Sequence, residues 1–210
     1  AEADQMDVLK AAQIVQEEGI AKPILLGNKS VIDDLRKAID FDADVEIIDP
    51  KDQSHDKQRK IYAKLFWKDQ KRKGYTLYDT ERLMWERNYF ASMMVKNGDA
   101  DAMLSGYSRN YRSVVKPILE TISKAKGVSK VAATNLMLTK SGPLFLTDTT
   151  INVEPTSKEL AKIAQMTSHM AGLFGIEPVI ALLSFSNFGS SRFSQAKKVT
   201  EAVSILHRSN

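Results

Sequence analysis

An apolar run that breaks at once into serines and a glycine is the feature that most constrains this chain. Pro178–Leu183 reads P-V-I-A-L-L, apolar without alternation, the pattern of a strand covered on both faces. Ser184, Ser186, Asn187, Gly189, Ser190 and Ser191 follow directly, and a helical pattern begins near Ser194. A buried strand that feeds a small-residue polar loop and then a helix offers backbone N–H groups and hydroxyls to a phosphate or carboxylate. The G-K-[ST] spacing of a P-loop is absent. On the residues alone, the stretch is either an anion-binding loop or a Ser/Gly-rich surface loop.

A strand covered on both faces needs helices on either side, and the first half of the chain supplies that alternation. Ala1–Glu18 has Met6, Leu9, Ala12 and Val15 on one helical side, and Gly19 ends it. Lys22–Gly27 (K-P-I-L-L-G) is a short buried strand. Ser30 and Asp33 have the spacing of a capping box for the next helix. Asp44–Asp49 is a second strand, stopped at Asp49-Pro50. Helices and short strands in turn predict an α/β fold: α/β/α layers around a mostly parallel sheet. The chain starts on a helix, which suggests a preceding strand outside it.

The midchain is helical. Gln53–Lys71 carries Ile61, Leu65 and Phe66 as anchors, with the basic patch Lys68–Lys73 at its end. The helix dipole favours cations there without any ligand. A sub-domain boundary falls somewhere in Pro50–Lys73. Asp79–Lys96 carries Met84, Trp85, Tyr89, Phe90, Met93 and Met94, an apolar surface suited to a core or a subunit interface. Asp101–Ser105 lies in a short apolar strand, Ala100–Ser105, followed by the loop Gly106–Arg112 and a helix from Ser113 to Lys124. Arg109 and Arg112 sit at the helix start, where the dipole disfavours cations. They are either anion contacts or plain surface arginines.

Val128–Leu138 and Leu144–Asp148 are two strands joined around Lys140-Ser141-Gly142-Pro143, a hairpin that adds an antiparallel portion to the sheet. Asp148, Thr149, Thr150 and Asn152 cluster at the strand end, a usual position for α/β active sites. Thr156 and Glu159 form a capping box for a helix to Phe174, and Ser194–His207 forms the last helix. His169 reads as structural beside Met166 and Met170, and His55 and His207 have no ligand partners at metal-site spacing.

Composition excludes several classes. The 210 residues contain no cysteine, so disulfides, thiolate chemistry and Cys-based zinc sites are out. No apolar run reaches the length of a membrane span and no secretory leader opens the chain. The net charge of +4 admits an anionic ligand without demanding nucleic acid. The expectation is therefore a protein with neither membrane nor nucleic-acid partners.

Four motifs now combine: D-A-M-L-S-G (Asp101–Gly106), F-L-T-D-T-T-I-N-V-E-P-T (Phe145–Thr156), F-G-I-E-P-V-I-A-L-L-S-F-S (Phe174–Ser186) and N-F-G-S (Asn187–Ser190). Together they resemble the phosphate acetyltransferase family over nearly the whole chain. S-G-Y-S-R-N-Y and S-F-S-N-F-G-S are most similar to the phosphotransacetylase-type C-terminal domains of bacterial hybrid malic enzymes. The resemblance implies an α/β/α fold with a cleft faced by the loops Ser105–Arg112 and Ser184–Ser191. It also implies that residues 1–210 are a fragment of a longer, cytoplasmic protein.

The resemblance further implies acyl-CoA, specifically acetyl-CoA, as the ligand. The residues that would bind it are Arg109, Arg112, Asp148, Thr149, Asn152, Ser186, Asn187, Ser190, Arg192 and Lys197, with Lys198 nearby. In hybrid malic enzymes, NADP and a divalent metal belong to other domains, and the phosphotransacetylase-type domain regulates and oligomerises. Departures from the active family pattern favour that role: no carboxylate lies between Ser191 and Glu201, and Tyr107–Tyr111 lacks the threonine–aspartate pair. Transfer requires a base to form the coenzyme A thiolate. The expectation is an acetyl-CoA-sensing, self-associating domain of a malic enzyme. The alternatives are an active phosphate acetyltransferase and a purely structural module that pairs through the Trp85–Met94 helix.

Overall fold

The computed structural model describes residues 1–186 and 190–209. The chain divides into two compact units, Ala1–Ser123 and Lys124–Asn210. Residues 50–73, where the sequence admits a boundary, lie inside the first unit.

The first unit is built around a parallel pair, β1 (Ile24–Leu26) and β2 (Glu46–Ile48), with Leu25 opposite Ile47. Helix α1 (Met6–Glu17) precedes β1, and α2 (Lys29–Ala38) makes the crossover. Side chains alternate across a strand, and β1 shows the consequence directly. Leu25 packs with Ala3, Leu9, Ile32 and Phe41 on the α1/α2 side. Leu26 packs with Ile48, Tyr62, Phe66, Phe90 and Met93 on the other. Burying each leucine stabilises the fold by roughly 2 kcal/mol. The strand pair is thus the middle layer of an α/β/α arrangement.

Helices α3 (Asp56–Gln70), α4 (Leu77–Leu83) and α5 (Arg87–Asn97) form the second layer, and α6 (Tyr111–Thr121) packs on α5. Every residue of α5 from Asn88 to Met94 is buried, so this helix is enclosed rather than amphipathic. Phe66 meets Tyr89 edge-on at 5.7 Å, and Tyr62 meets Phe90 at 5.1 Å. The apolar surface read as a core or an interface is therefore core. Phe90 and Met94 are 1% and 4% exposed, which takes these two side chains out of reach of a partner surface. Trp85 is partly exposed and stacks under the Arg59 guanidinium at 4.1 Å.

Several boundaries differ from the sequence reading for physical reasons. The Asp79–Lys96 segment is two helices, because Glu86 adopts extended backbone and caps α5 through the N–H groups of Asn88 and Tyr89. Asn28, not Ser30, caps α2, accepting from Val31 N at 3.3 Å and from the Ser30 hydroxyl at 2.7 Å. The opening helix starts at Met6 because residues 1–3 are engaged elsewhere: Ala1 N donates to the Leu104 carbonyl at 2.7 Å and Ala3 N to the Leu26 carbonyl at 3.3 Å. Ala100–Ser105 carries no strand ladder. Residues 1–3 hydrogen-bond to Leu104 of that segment and to Leu26 of β1.

The second unit holds an antiparallel hairpin, β3 (Thr134–Thr139) and β4 (Gly142–Thr147), with Thr134 opposite Thr147. The hairpin forms where the sequence places it. Helix α7 (Ser157–Leu173) packs on α8 (Ser194–Arg208) and on β4. Alanines line the buried helix faces: Ala161, Ala164 and Ala171 on α7, Ala196 and Ala202 on α8. Such small side chains let helix backbones approach closely. The Thr156–Glu159 capping box forms as read, with Glu159 N donating to Thr156 Oγ1 at 3.3 Å and Thr156 N to Glu159 Oε2 at 2.9 Å.

The expected buried strand at Pro178–Leu183 is corrected. It has no ladder partner among the described residues, and Val179 and Leu183 are 101% and 82% exposed. A strand exists only through its neighbours, and apolar composition alone cannot supply them. The described strands therefore form two separate two-stranded sheets, a parallel pair in the first unit and an antiparallel pair in the second, rather than one mostly parallel sheet to which the hairpin adds. No helix among them is long and apolar enough to cross a membrane.

Candidate functional site

In the first unit, the loop after the Asp101–Ser105 segment is pinned from three directions. Asn88, buried on α5, accepts from the Ser105 hydroxyl at 2.8 Å and donates to the Ser113 carbonyl at 3.2 Å. That carbonyl needs a side-chain donor because Pro117, four residues on, has no N–H to give it. Glu2 then takes the loop itself. Its Oε2 accepts from Gly106 N at 2.6 Å and Tyr107 N at 2.8 Å, and its Oε1 from Ser108 N at 3.0 Å and Ser108 Oγ at 2.7 Å. Finally, Asn110 caps α6 by accepting from Ser113 N at 2.9 Å.

Three consecutive backbone N–H groups converging on one carboxylate form an anion nest. Gly106 has φ 108°, a conformation that a side chain disfavours. Burial by itself would raise the Glu2 pKa, but the hydrogen bonds from Ser108, Gly106 and Tyr107 outweigh it and bring the carboxyl down to about 2. Beyond the nest, the Tyr107 hydroxyl donates to Asp7 on α1. Sequence reasoning singled out this loop but missed Glu2, whose partners lie more than a hundred positions away.

Arg109 and Arg112 flank the Asn110 cap, and both are exposed. Neither makes an ion pair among the described residues. The Arg109 charge lies close enough to help hold the Asp4 carboxyl down. Asp4 itself pairs with Arg87 at 2.9 Å. The Arg87 guanidinium passes Gly27, where an added Cβ would stand 3.3 Å from Nη1.

In the second unit, Asp148, Thr149 and Asn152 share one turn after β4. The Asp148 carboxylate accepts from Ala133 N at 2.9 Å, Ile151 N at 3.3 Å, Asn152 N at 2.8 Å and the Asn152 side-chain amide. Burial opposes ionisation there, and these donors overcome it, so the carboxyl stays below its usual range. A carboxylate so engaged is a loop clamp and a poor proton acceptor. Asn152 also donates to the Val131 carbonyl at 2.9 Å, and Thr149 donates to Asn135 Oδ1 at 2.7 Å.

The serine loop is cross-linked by its own hydroxyls. Ser186 Oγ lies 3.2 Å from Ser190 Oγ and accepts from Ser191 N at 3.0 Å. Ser184 and Ser186 exchange hydrogen bonds at 3.1 Å. Asn187 lies outside the described residues. Phe193, the residue before α8, provides no side-chain cap, and its own N–H donates to Ser191 Oγ at 3.3 Å. Arg192 and Lys197 are exposed beside it, and Lys198 is half-buried. No cluster of three or more His, Asp or Glu side chains among the described residues could hold a metal ion.

Comparison with known proteins agrees with this architecture. A profile of the phosphate acetyl/butaryl transferase family matches residues 1–210. The chain is 35% identical to a Synechocystis phosphate acetyltransferase over 207 residues, covering 97% of this chain and 29% of that protein. It is 37% identical to a Haemophilus influenzae NADP-dependent malic enzyme over 216 aligned positions, covering all of this chain and 28% of that protein. The chain thus spans under a third of these relatives. A Streptococcus pyogenes phosphotransacetylase structure superposes with a TM-score of 0.84 at 34% identity, over all of this chain and 63% of that one. The Staphylococcus aureus EutD phosphotransacetylase gives 0.82 at 30% identity, over 99% and 62%. On sequence and fold together, the chain belongs to the phosphate acetyl/butaryl transferase family.

Proposed function

We propose that this chain handles acyl-coenzyme A in the manner of the phosphate acetyltransferases, moving an acetyl group between coenzyme A and phosphate. The observation that carries the reading is the superposition along the whole chain on a phosphotransacetylase at TM-score 0.84. The residues of each unit suit an anionic ligand. In the first, Arg109 and Arg112 stand at a capped helix start without an ion pair among the described residues, and an arginine fork binds phosphate in bidentate fashion. In the second, Ser186, Ser190 and Arg192 precede the α8 N-terminus, where the helix dipole attracts negative charge, and Lys197 adds a cation on its first turns. Asp148, Thr149 and Asn152 shape the turn beside β4 rather than offering a base.

In the transfer, the coenzyme A thiolate attacks the carbonyl carbon of acetyl phosphate. The thioester bond forms, the bond from that carbon to the phosphate oxygen breaks, and phosphate leaves. The test is the chain itself with acetyl phosphate and coenzyme A, following thioester formation. Formation that depends on the chain and falls in R109A and R112A supports the reading.

A second reading has a specific observation behind it. No carboxylate lies between Ser191 and Glu201 to take the thiol proton. On that reading, the domain binds acetyl-CoA without transfer and regulates and assembles a malic enzyme whose other domains hold NADP and a divalent metal. Such regulation requires that acetyl-CoA bind two states of the assembly unequally. Calorimetric binding of acetyl-CoA with no acetyl phosphate turnover would favour it.

A further inference from the structure

We propose that Glu2 is a positioning residue for coenzyme binding: an internal carboxylate that fixes the Gly106–Ser108 backbone and so presents Arg109 and Arg112. This rests on the functional reading above for its ligand. The clamp itself stands on geometry. Glu2 is 2% exposed, and its two oxygens take all three N–H groups of the loop and the Ser108 hydroxyl. Those donors converge because Gly106 turns with φ 108°. Without an anion, three aligned N–H dipoles would repel one another and the loop would open.

What the clamp holds is the approach to α6. Glu2 fixes residues 106–108 and Asn110 fixes the helix start through Ser113 N. Arg109 is the one residue between these two anchors, so its backbone has little freedom left. Arg112 follows in the first turn of α6. The Arg109 charge also lies within electrostatic reach of Asp4 and Glu86. A backbone preset in this way has less freedom left to lose when a phosphate arrives. Glutamine cannot replace Glu2, because one of its two polar atoms is a donor that would face N–H groups.

The experiment compares wild type, E2Q, E2A and E2D at a temperature where circular dichroism shows each folded. Calorimetry measures coenzyme A affinity, and hydrogen exchange reports the amides of residues 106–108. The expected result is protected amides in wild type, fast exchange in E2Q, and affinity weakened at least about tenfold in E2Q and E2A. E2D should fall between, and added formate should restore part of the E2A affinity. A purely structural role would lower thermal stability and leave the affinity of the folded variants unchanged, which overturns the proposal. Should the variants fail to fold, rapid exchange of the 106–108 amides in wild type overturns it alone. Wild-type protein that binds no coenzyme A overturns the functional reading, while the exchange data still decide the clamp.

Discussion

Asn88 donates to the Ser113 carbonyl at 3.2 Å, supplying the hydrogen bond that Pro117 cannot give. A helix interior normally rejects proline because the carbonyl four residues back goes unpaired. Here a buried side chain from a neighbouring helix offsets that loss and ties α6 to α5. N88A should destabilise the first unit by about 1–3 kcal/mol, since it strands both that carbonyl and the Ser105 hydroxyl. In a P117A background, the new N–H can serve Ser113, so N88A should cost measurably less. A double-mutant cycle by urea unfolding checks this, and additive energies would refute the compensation.

Glu2 gives a pH prediction with a definite sign. Its folded-state pKa is held at about 2, below the ordinary value of 4.5. The folded state therefore binds the proton less readily than the unfolded state, and the contribution to stability is fully present above pH 4.5. It is lost as pH falls from there toward about 2. The stability difference between wild type and E2Q should shrink across that window and be flat above it. Denaturant unfolding at a series of pH values measures the difference, and a constant gap would contradict it.

Gly27 is a close-approach glycine. An added Cβ would stand 3.1 Å from Ile32 Cδ1 and 3.3 Å from Arg87 Nη1. G27A should cost about 1–3 kcal/mol, as overpacking does in well-filled sites, and should disturb the Arg87–Asp4 pair. Thermal unfolding of G27A, alone and with R87K, tests this. The shorter-armed lysine head should relieve part of the clash.

In the second unit, Thr156 caps α7 and Glu159 answers it while also meeting Lys130 at 2.8 Å. T156A should cost about 1 kcal/mol. K130A should cost little, because Lys130 and Glu159 both keep part of their side chains in solvent and such pairs contribute weakly. Equal losses in the two variants, read by urea unfolding, would contradict that ranking.

Local signals in the sequence were the ones the structure reproduces. The Thr156–Glu159 box and the Lys140-Ser141 hairpin need only neighbours within a few positions, so residue types suffice to find them. The α2 cap was misplaced because Asn28 and Ser30 are both good caps, and only the observed backbone chooses between them. The break at Met84–Glu86 hides inside an apolar pattern that continues on both sides. The segments 100–105 and 178–183 have strand composition, but a ladder depends on partners distant in sequence. The site shows the same division. The loop around Gly106 was legible from its glycine and serines, whereas the Glu2 carboxylate that fills it lies at the other end of the unit.

The central claim is that this chain recognises and transfers acyl groups on coenzyme A. Incubating it with acetyl phosphate and coenzyme A, and following thioester formation, tests that most directly. The account predicts acetyl-CoA formation proportional to protein concentration and reduced about tenfold or more in R109A, as expected when a charged hydrogen-bonding partner of a phosphate is removed. Wild-type protein that forms no acetyl-CoA would contradict it, whether or not it binds coenzyme A.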